Sequence, residues 1–289
     1  MMTPPHISFE VFPPKTPDAS ARLDEALSAL APLDPAFVSV TYGAGGTTRT
    51  LTHDTAARIQ NRHGLDVAAH LTCVGASRDA TLAVADAYWR SGVREIVALR
   101  GDPPKGVTGF VPHPDGFASS AELVEALAAT GRFRIRVGAY PDRHPEAASN
   151  AADIDYLKRK IDAGAHAAIT QFFFEAETFL RFRDSCARAG IDAPIIPGIM
   201  PIENWTRVRK FARACGARIP QWLDTAYGEA ERAGRTADLS QTLCREMCAK
   251  LRAGGVDHFH FYTLNKPGPT RDLCHALGLG AKTAQAHDA

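Results

Sequence analysis

Ile7-Ser8-Phe9-Glu10-Val11-Phe12-Pro13-Pro14-Lys15 begins as a β-strand and is then stopped by two prolines. Its β-branched and aromatic residues alternate with smaller or polar ones, the pattern of a segment that packs on a pleated surface. One carboxylate, Glu10, sits in the middle of this apolar run. A buried carboxylate is costly unless its pKa rises or it finds partners. Two readings fit: a strand-end glutamate salt-bridged to Lys15 or another base, or a general acid held in a dry site.

Outward from this strand the same alternation recurs. Strand patterns fall at Ile7–Phe12, Phe37–Thr41, Val67–Cys73, Arg94–Arg100, Phe133–Ala139, Ala167–Phe172, Pro194–Ile199 and His258–Thr263. Between them, apolar residues recur at three- and four-residue spacing, the period of helices that bury one face. Extra helical sequence, Pro220–Ala233 and Leu239–Ala253, precedes the last strand. Strands and helices in strict alternation predict an α/β fold, a (β/α)8 TIM barrel, with a doubly wound open sheet as the alternative. No linker composition divides residues 1–289, so one catalytic domain is expected, with 280–289 as a flexible tail.

Composition narrows the class. The 289 residues are 45% hydrophobic and 22% charged, which suits a globular chain with a large core. Lys+Arg number 33 and Asp+Glu 32, so no general field favours nucleic acid or an acidic membrane. Met1-Met2-Thr3-Pro4-Pro5-His6 has neither a basic nor an apolar leader pattern, and no apolar run is long enough for a membrane span. Six scattered cysteines fit reduced thiols in a cytoplasmic protein.

In a TIM barrel the chemistry stands at the C-terminal ends of the strands. There the chain collects Glu10, Thr41-Tyr42-Gly43-Ala44, His70, Arg100-Gly101-Asp102, Tyr140, His144, Gln171 and Tyr262. Three readings compete. His258 and His260, two apart on one strand face, with His70 and His144, suggest a metal-dependent hydrolase, yet few carboxylates accompany them. Asp153, Tyr156 and Lys160 share a helix face beside Arg159, as a phosphate-bearing cofactor would need, or as a solvated, self-paired face. A binding barrel without turnover would explain the rim but not a carboxylate in the first strand.

Ser8-Phe9-Glu10-Val11-Phe12-Pro13-Pro14-Lys15, Val40-Thr41-Tyr42-Gly43-Ala44-Gly45-Gly46, His70-Leu71-Thr72-Cys73, Leu99-Arg100-Gly101-Asp102, Ala139-Tyr140-Pro141-Asp142-Arg143-His144-Pro145-Glu146-Ala147, Thr170-Gln171-Phe172-Phe173-Phe174 and His260-Phe261-Tyr262-Thr263-Leu264-Asn265 carry a resemblance. Over essentially its whole length the chain resembles the methylenetetrahydrofolate reductases of the bacterial single-domain type. The resemblance implies FAD at the rim, reduced by NADH or NADPH in ping-pong alternation with the folate. A metal ion is not implied. Flavin-independent hydride transfer on the same barrel is the variant reading.

By the same resemblance Glu10 is the general acid that protonates N10 of the folate, and Asp102 the carboxylate that stabilises a developing cation. Thr41, Tyr42, Ala44, His70, Arg100, Gly101, Asp102, Ala118, Tyr140, His144, Ala147, Asp153, Tyr156, Arg159 and Lys160 fall where the family contacts its cofactors. Gln171, Arg207, Phe211, Tyr262 and Lys266 fall where it holds substrate. Tyr156 stands where relatives often carry Asn, and Arg207 replaces a Gln-like contact. Small-molecule substrates and a homo-oligomer are expected. To act near neutrality, Glu10 should have its pKa raised toward ~6–7, with Phe9, Phe12 and the flavin surface supplying the desolvation.

Overall fold

The computed structural model describes residues 4–43, 49–102 and 109–279. Ala44 and the rest of the glycine-rich turn, 44–48, lie outside them, as does the tail at 280–289. The described strands are β1 (His6–Val11), β2 (Val38–Val40), β3 (Val67–Thr72), β4 (Glu95–Leu99), β5 (Arg134–Ala139), β6 (Ala167–Thr170), β7 (Ile195–Ile196), β8 (Gly198–Ile199) and β9 (His258–Tyr262). All pair in parallel, in the order β7-β6-β5-β4-β3-β2-β1-β9-β8.

β7 and β8 are two halves of one barrel strand. Pro197 between them has no N–H to give to a ladder, so the pairing switches sides there. β7 lies on β6 (Ile169 opposite Ile196), while β8 lies on β9 (Gly198 opposite His260). The Pro197 carbonyl still accepts from the His260 N–H at 3.0 Å. Eight strand positions therefore close into an α/β barrel of the TIM type.

Around it run α1 (Pro17–Leu30), α2 (Arg49–His63), α3 (Arg78–Arg90), α4 (Ser120–Ala128), α5 (Asn150–Asp162), α6 (Ala176–Arg188), α7 (Trp205–Ala214), α8 (Gln221–Arg232), α9 (Thr236–Ala253) and α10 (Pro267–Ala276). Several start on side-chain caps: Thr16, Ser77, Ser119, Ser149 and Asn204 accept from Ala19, Ala80, Glu122, Ala152 and Arg207 N–H groups at 2.9–3.2 Å. These caps fix where each helix leaves the rim loop and so where the rim residues stand.

Strand alternation sorts the side chains. Ile7, Phe9 and Val11 of β1 face outward into a core shared with Leu23 and Leu27 of α1 and Leu273 of α10. Burying each such side chain contributes roughly 1.5–3 kcal/mol. Ser8 and Glu10 face the barrel interior, as do His258, His260 and Tyr262 of β9. Lower in the barrel the interior is apolar, with Phe37, Ala68, Val97, Ala167, Ile169 and Ile196 in contact. One ion pair crosses it: Arg136 meets Glu95 at 2.7 Å, its guanidinium 4.0 Å from the Phe37 ring. No described helix is long and apolar enough to cross a membrane.

Candidate active site

Glu10 stands one residue before the end of β1 at the barrel mouth, opposite Ser39 of β2 and Tyr262 of β9 in the strand register. Its Oε2 lies 3.4 Å from His70 Nε2 and 3.9 Å from His260 Nε2, and Ser39 Oγ donates to it at 3.4 Å. Lys15 takes no part. His260 is held from below, with Ser8 Oγ 2.8 Å from its Nδ1 and 3.0 Å from His258 Nε2. A polar file thus runs down the interior from Glu10 through His260 and Ser8 to His258.

This file decides the charge of Glu10. Burial by itself raises the carboxyl, but the imidazoles of His260 and His70 outweigh it and hold the group down at about 2. Burial in turn pushes His260 below the ordinary imidazole range and His258 to about 3. The carboxyl raised toward neutrality that the sequence leads one to expect is therefore not found. Phe9 belongs to the outward face of β1, and Phe12 is exposed, so neither dries Glu10.

Glu10 and His70 open into a cavity of about 210 Å³ at the mouth, shared with Gln171, Phe211, Tyr140 and Tyr262. Phe211 reaches it from α7 and stacks on Phe172 at 5.5 Å between ring centroids. Tyr262 is fixed by donating to the Thr170 carbonyl at 2.7 Å. Gln171 lines the cavity, and its Oε1 accepts from the Phe172 N–H at 3.0 Å.

A second cavity, of about 310 Å³, adjoins the first and shares Leu99, Gly138 and Tyr140 with it. It lies between β4, β5 and the starts of α4 and α5. Arg100, Ala118, Tyr140, His144, Ala147, Asp153, Tyr156 and Lys160 line it. Lys160 is buried, has no carboxylate at ion-pair distance among the described residues, and donates to the Gly138 carbonyl at 2.6 Å. Burial pushes its ammonium down to about 8. The Tyr156 hydroxyl lies 2.9 Å from Ser120 Oγ, and its ring is 5.2 Å from Lys160 Nζ and 4.9 Å from the Arg159 guanidinium. Asp153 is spent on the loop, accepting from the His144 N–H at 2.7 Å. A cavity with a buried, under-partnered cation at its back and an aromatic wall suits an anionic, aromatic ligand such as a flavin dinucleotide.

Other expected residues lie elsewhere among the described ones. Thr41, Tyr42, Gly101, Asp102, Arg159, Arg207 and Lys266 line neither cavity. Tyr42 accepts from Arg49 Nε at 3.0 Å. Asp102 is exposed, yet close enough to Tyr140 for its charge to add to burial in raising that phenol to about 12. Lys266 is paired with Glu203. Gly101 has φ +86, and a Cβ there would fall 2.6 Å from Val74 Cγ1, so its role is backbone fit. Missed in the sequence were Ser8 and Ser39, the closeness of His260 to Glu10, and Glu146, whose carboxylate grips Arg100 with both oxygens. His258 and His260, weighed there as metal ligands, instead bond Ser8, and no group of three possible metal-binding side chains converges among the described residues.

The chain matches the family model for methylenetetrahydrofolate reductase over residues 3–278. It is 46% identical to the 5,10-methylenetetrahydrofolate reductase of Salmonella typhimurium, over 95% of this chain and 91% of that protein. It is 44% identical to the enzyme of the same name from Pectobacterium carotovorum, over 97% and 92%. A maize protein named methylenetetrahydrofolate reductase (NADH) 1 is 36% identical over 94% of this chain and 48% of its own length. Among solved structures, a Clostridium thermocellum protein described as binding two copies of 5-methyl-5,6,7,8-tetrahydrofolic acid superposes with TM-score 0.61 at 15% identity, covering 96% of this chain and 94% of that one. That likeness speaks for the barrel alone. With a match across nearly the whole chain, and with the mouth and side cavities in place, the chain belongs to the methylenetetrahydrofolate reductase family.

Proposed function

We propose that this reductase converts 5,10-methylenetetrahydrofolate to 5-methyltetrahydrofolate with hydride from NADH or NADPH, using FAD held in the side cavity. The observation that carries this reading is the joining of two cavities at Tyr140. One holds the Glu10 carboxyl; the other is built for an anionic dinucleotide. Lys160 and Arg100 would meet its phosphates and Tyr156 its adenine side, with the Glu146 grip on Arg100 released on binding. Bound there, FAD would supply a hydride acceptor and donor. One mouth cavity of about 210 Å³ serves two substrates in turn, which gives ping-pong kinetics. The maize relative, named for NADH, favours NADH as donor.

The side chains do the rest. Opening the methylene bridge requires a proton at N10 and leaves a cation at N5. Glu10 is ionised in the open pocket, so it must take up a proton as the folate enters. Desolvation is already the largest single influence on it, and a pterin covering the mouth increases that influence. Gln171 orients nicotinamide or pterin in turn, and Phe211 stacks on it. Asp102 adds negative charge near the developing cation. The barrel acts as one domain of a cytoplasmic homo-oligomer.

Glu10→Gln tests this reading. The variant should lose folate reduction while still oxidising NADH with an artificial electron acceptor. Equal loss of both half-reactions would remove Glu10 from the acid role, and a colourless but active preparation would remove the flavin.

A further inference from the structure

A third cavity, of about 430 Å³, lies beyond Tyr140 between the loop after β5, the start of α5, α6 and the segment after α7. Three arginines line it: Arg143, Arg181 and Arg218. Among the described residues no carboxylate lies within the 4.0 Å ion-pair distance of any of their guanidinium groups. Arg181 makes only a 3.5 Å contact with Thr178 Oγ1. The two carboxylates in the wall are occupied by backbone. Asp142 accepts from the Arg218 N–H at 3.0 Å, and Asp153 from the His144 N–H at 2.7 Å.

Two further features point the same way. The helix α5 begins at the cavity edge with Asn150, presenting its positive end. Arg143 holds φ +79, a conformation that glycine adopts far more readily, and it keeps a cationic side chain at this lip despite that cost.

We propose that this cavity binds a phosphate-bearing anion, a diphosphate or phosphate ester, through Arg143, Arg181 and Arg218. Planar guanidinium groups bind phosphate oxygens in pairs, and three of them on one cavity, with its two carboxylates turned to backbone N–H groups instead of ion-paired to them, suit such an anion. Two sources share this chemistry. One is a free polyphosphate. The other is the phosphate portion of the nicotinamide dinucleotide, reaching past Tyr140, which walls all three cavities. The second source rests on the proposed reductase reading; the first does not.

Calorimetric titration with inorganic pyrophosphate tests the site in the protein as isolated, in the Arg143→Gln/Arg181→Gln double variant and in Lys160→Met. All three arginine side chains are exposed, so the double variant keeps its fold, and its melting curve verifies that. The wild type and Lys160→Met should bind pyrophosphate, and the double variant should bind it about tenfold or more weakly. No binding to the wild type, undiminished binding to the double variant, or loss confined to Lys160→Met would overturn the site. Steady-state KM values identify the source: a KM for NADH or NADPH raised about tenfold in the double variant assigns the site to the dinucleotide. Unchanged KM values alongside lost pyrophosphate binding assign it to a free polyphosphate. Failure of the reductase reading would leave the pyrophosphate result standing.

Discussion

Lys160 is where the proposed ligand and the fold make opposite demands on one side chain. Its ammonium is buried with a single carbonyl partner, and burial draws its pKa down to about 8. A methionine of similar shape would keep the packing and drop the charge. Lys160→Met should therefore stabilise the ligand-free protein, by about 1 kcal/mol, while weakening flavin retention tenfold or more. Urea melts and flavin content after gel filtration measure the two effects, and a destabilised ligand-free variant would show that the cation serves the fold. The sign with pH follows. The folded-state value lies below the ordinary 10.5, so between about 8 and 10.5 the folded protein holds fewer protons than the unfolded one. Stability then rises with pH across that window, whereas affinity for an anion falls once Lys160 deprotonates. Glu10 was legible as a special carboxylate from its apolar setting alone. Its charge state was not, because His70 and His260 reach it from β3 and β9, and no local spacing reveals those neighbours.

At the scale of elements, the strand and helix alternation could be read almost throughout, since each strand carries its own two-residue period and each helix its own apolar stripe. What could not be read is the split at Pro197. A proline in a run such as Pro194–Ile199 is an ordinary strand breaker, and only closure of the barrel shows that it changes partners there. The same closure puts Ser8 opposite His260 and Glu10 opposite Tyr262, residues some 250 positions apart. The site is thus a product of register between the first and last strands. Gly198 marks how tight that junction is, because a Cβ there would fall 2.2 Å from the Thr170 carbonyl and 2.5 Å from the Tyr262 ring. Gly198→Ala should cost about 2–4 kcal/mol and displace Tyr262 from the Thr170 carbonyl. A denaturant midpoint near that of the wild type would mean that β8 can shift without cost. Because Tyr262 walls the mouth that both substrates are proposed to share, the same variant should raise the KM of folate and of the nicotinamide substrate alike.

For the whole molecule, the polar file inside the barrel sets a limit on acid tolerance that surface charges do not. His258 is held down to about 3 by burial first and then by His260, Arg136, His6 and Arg134. Its ordinary value is 6.5, so between 6.5 and about 3 the unfolded chain binds a proton that the folded chain refuses. Unfolding is then favoured as pH falls, with a slope of about 1.4 kcal/mol per pH unit for that one proton. Glu10 adds a separate loss lower down, because its carboxyl is depressed from 4.5 to about 2 and its stabilisation disappears only as pH falls through that interval. The two windows can be told apart by mutation. His258→Phe suits a site flanked by the Phe37 ring at 5.9 Å and leaves Ser8 bonded to His260. It should make the stability profile less steep between pH 6.5 and 4.5, where His260 still contributes, while keeping the steeper fall below, and Glu10→Gln should do the reverse. Urea unfolding at half-unit pH intervals measures both. Parallel profiles for wild type and His258→Phe above pH 4.5 would show that the interior imidazoles are protonated without cost, and that the barrel admits charge through its floor.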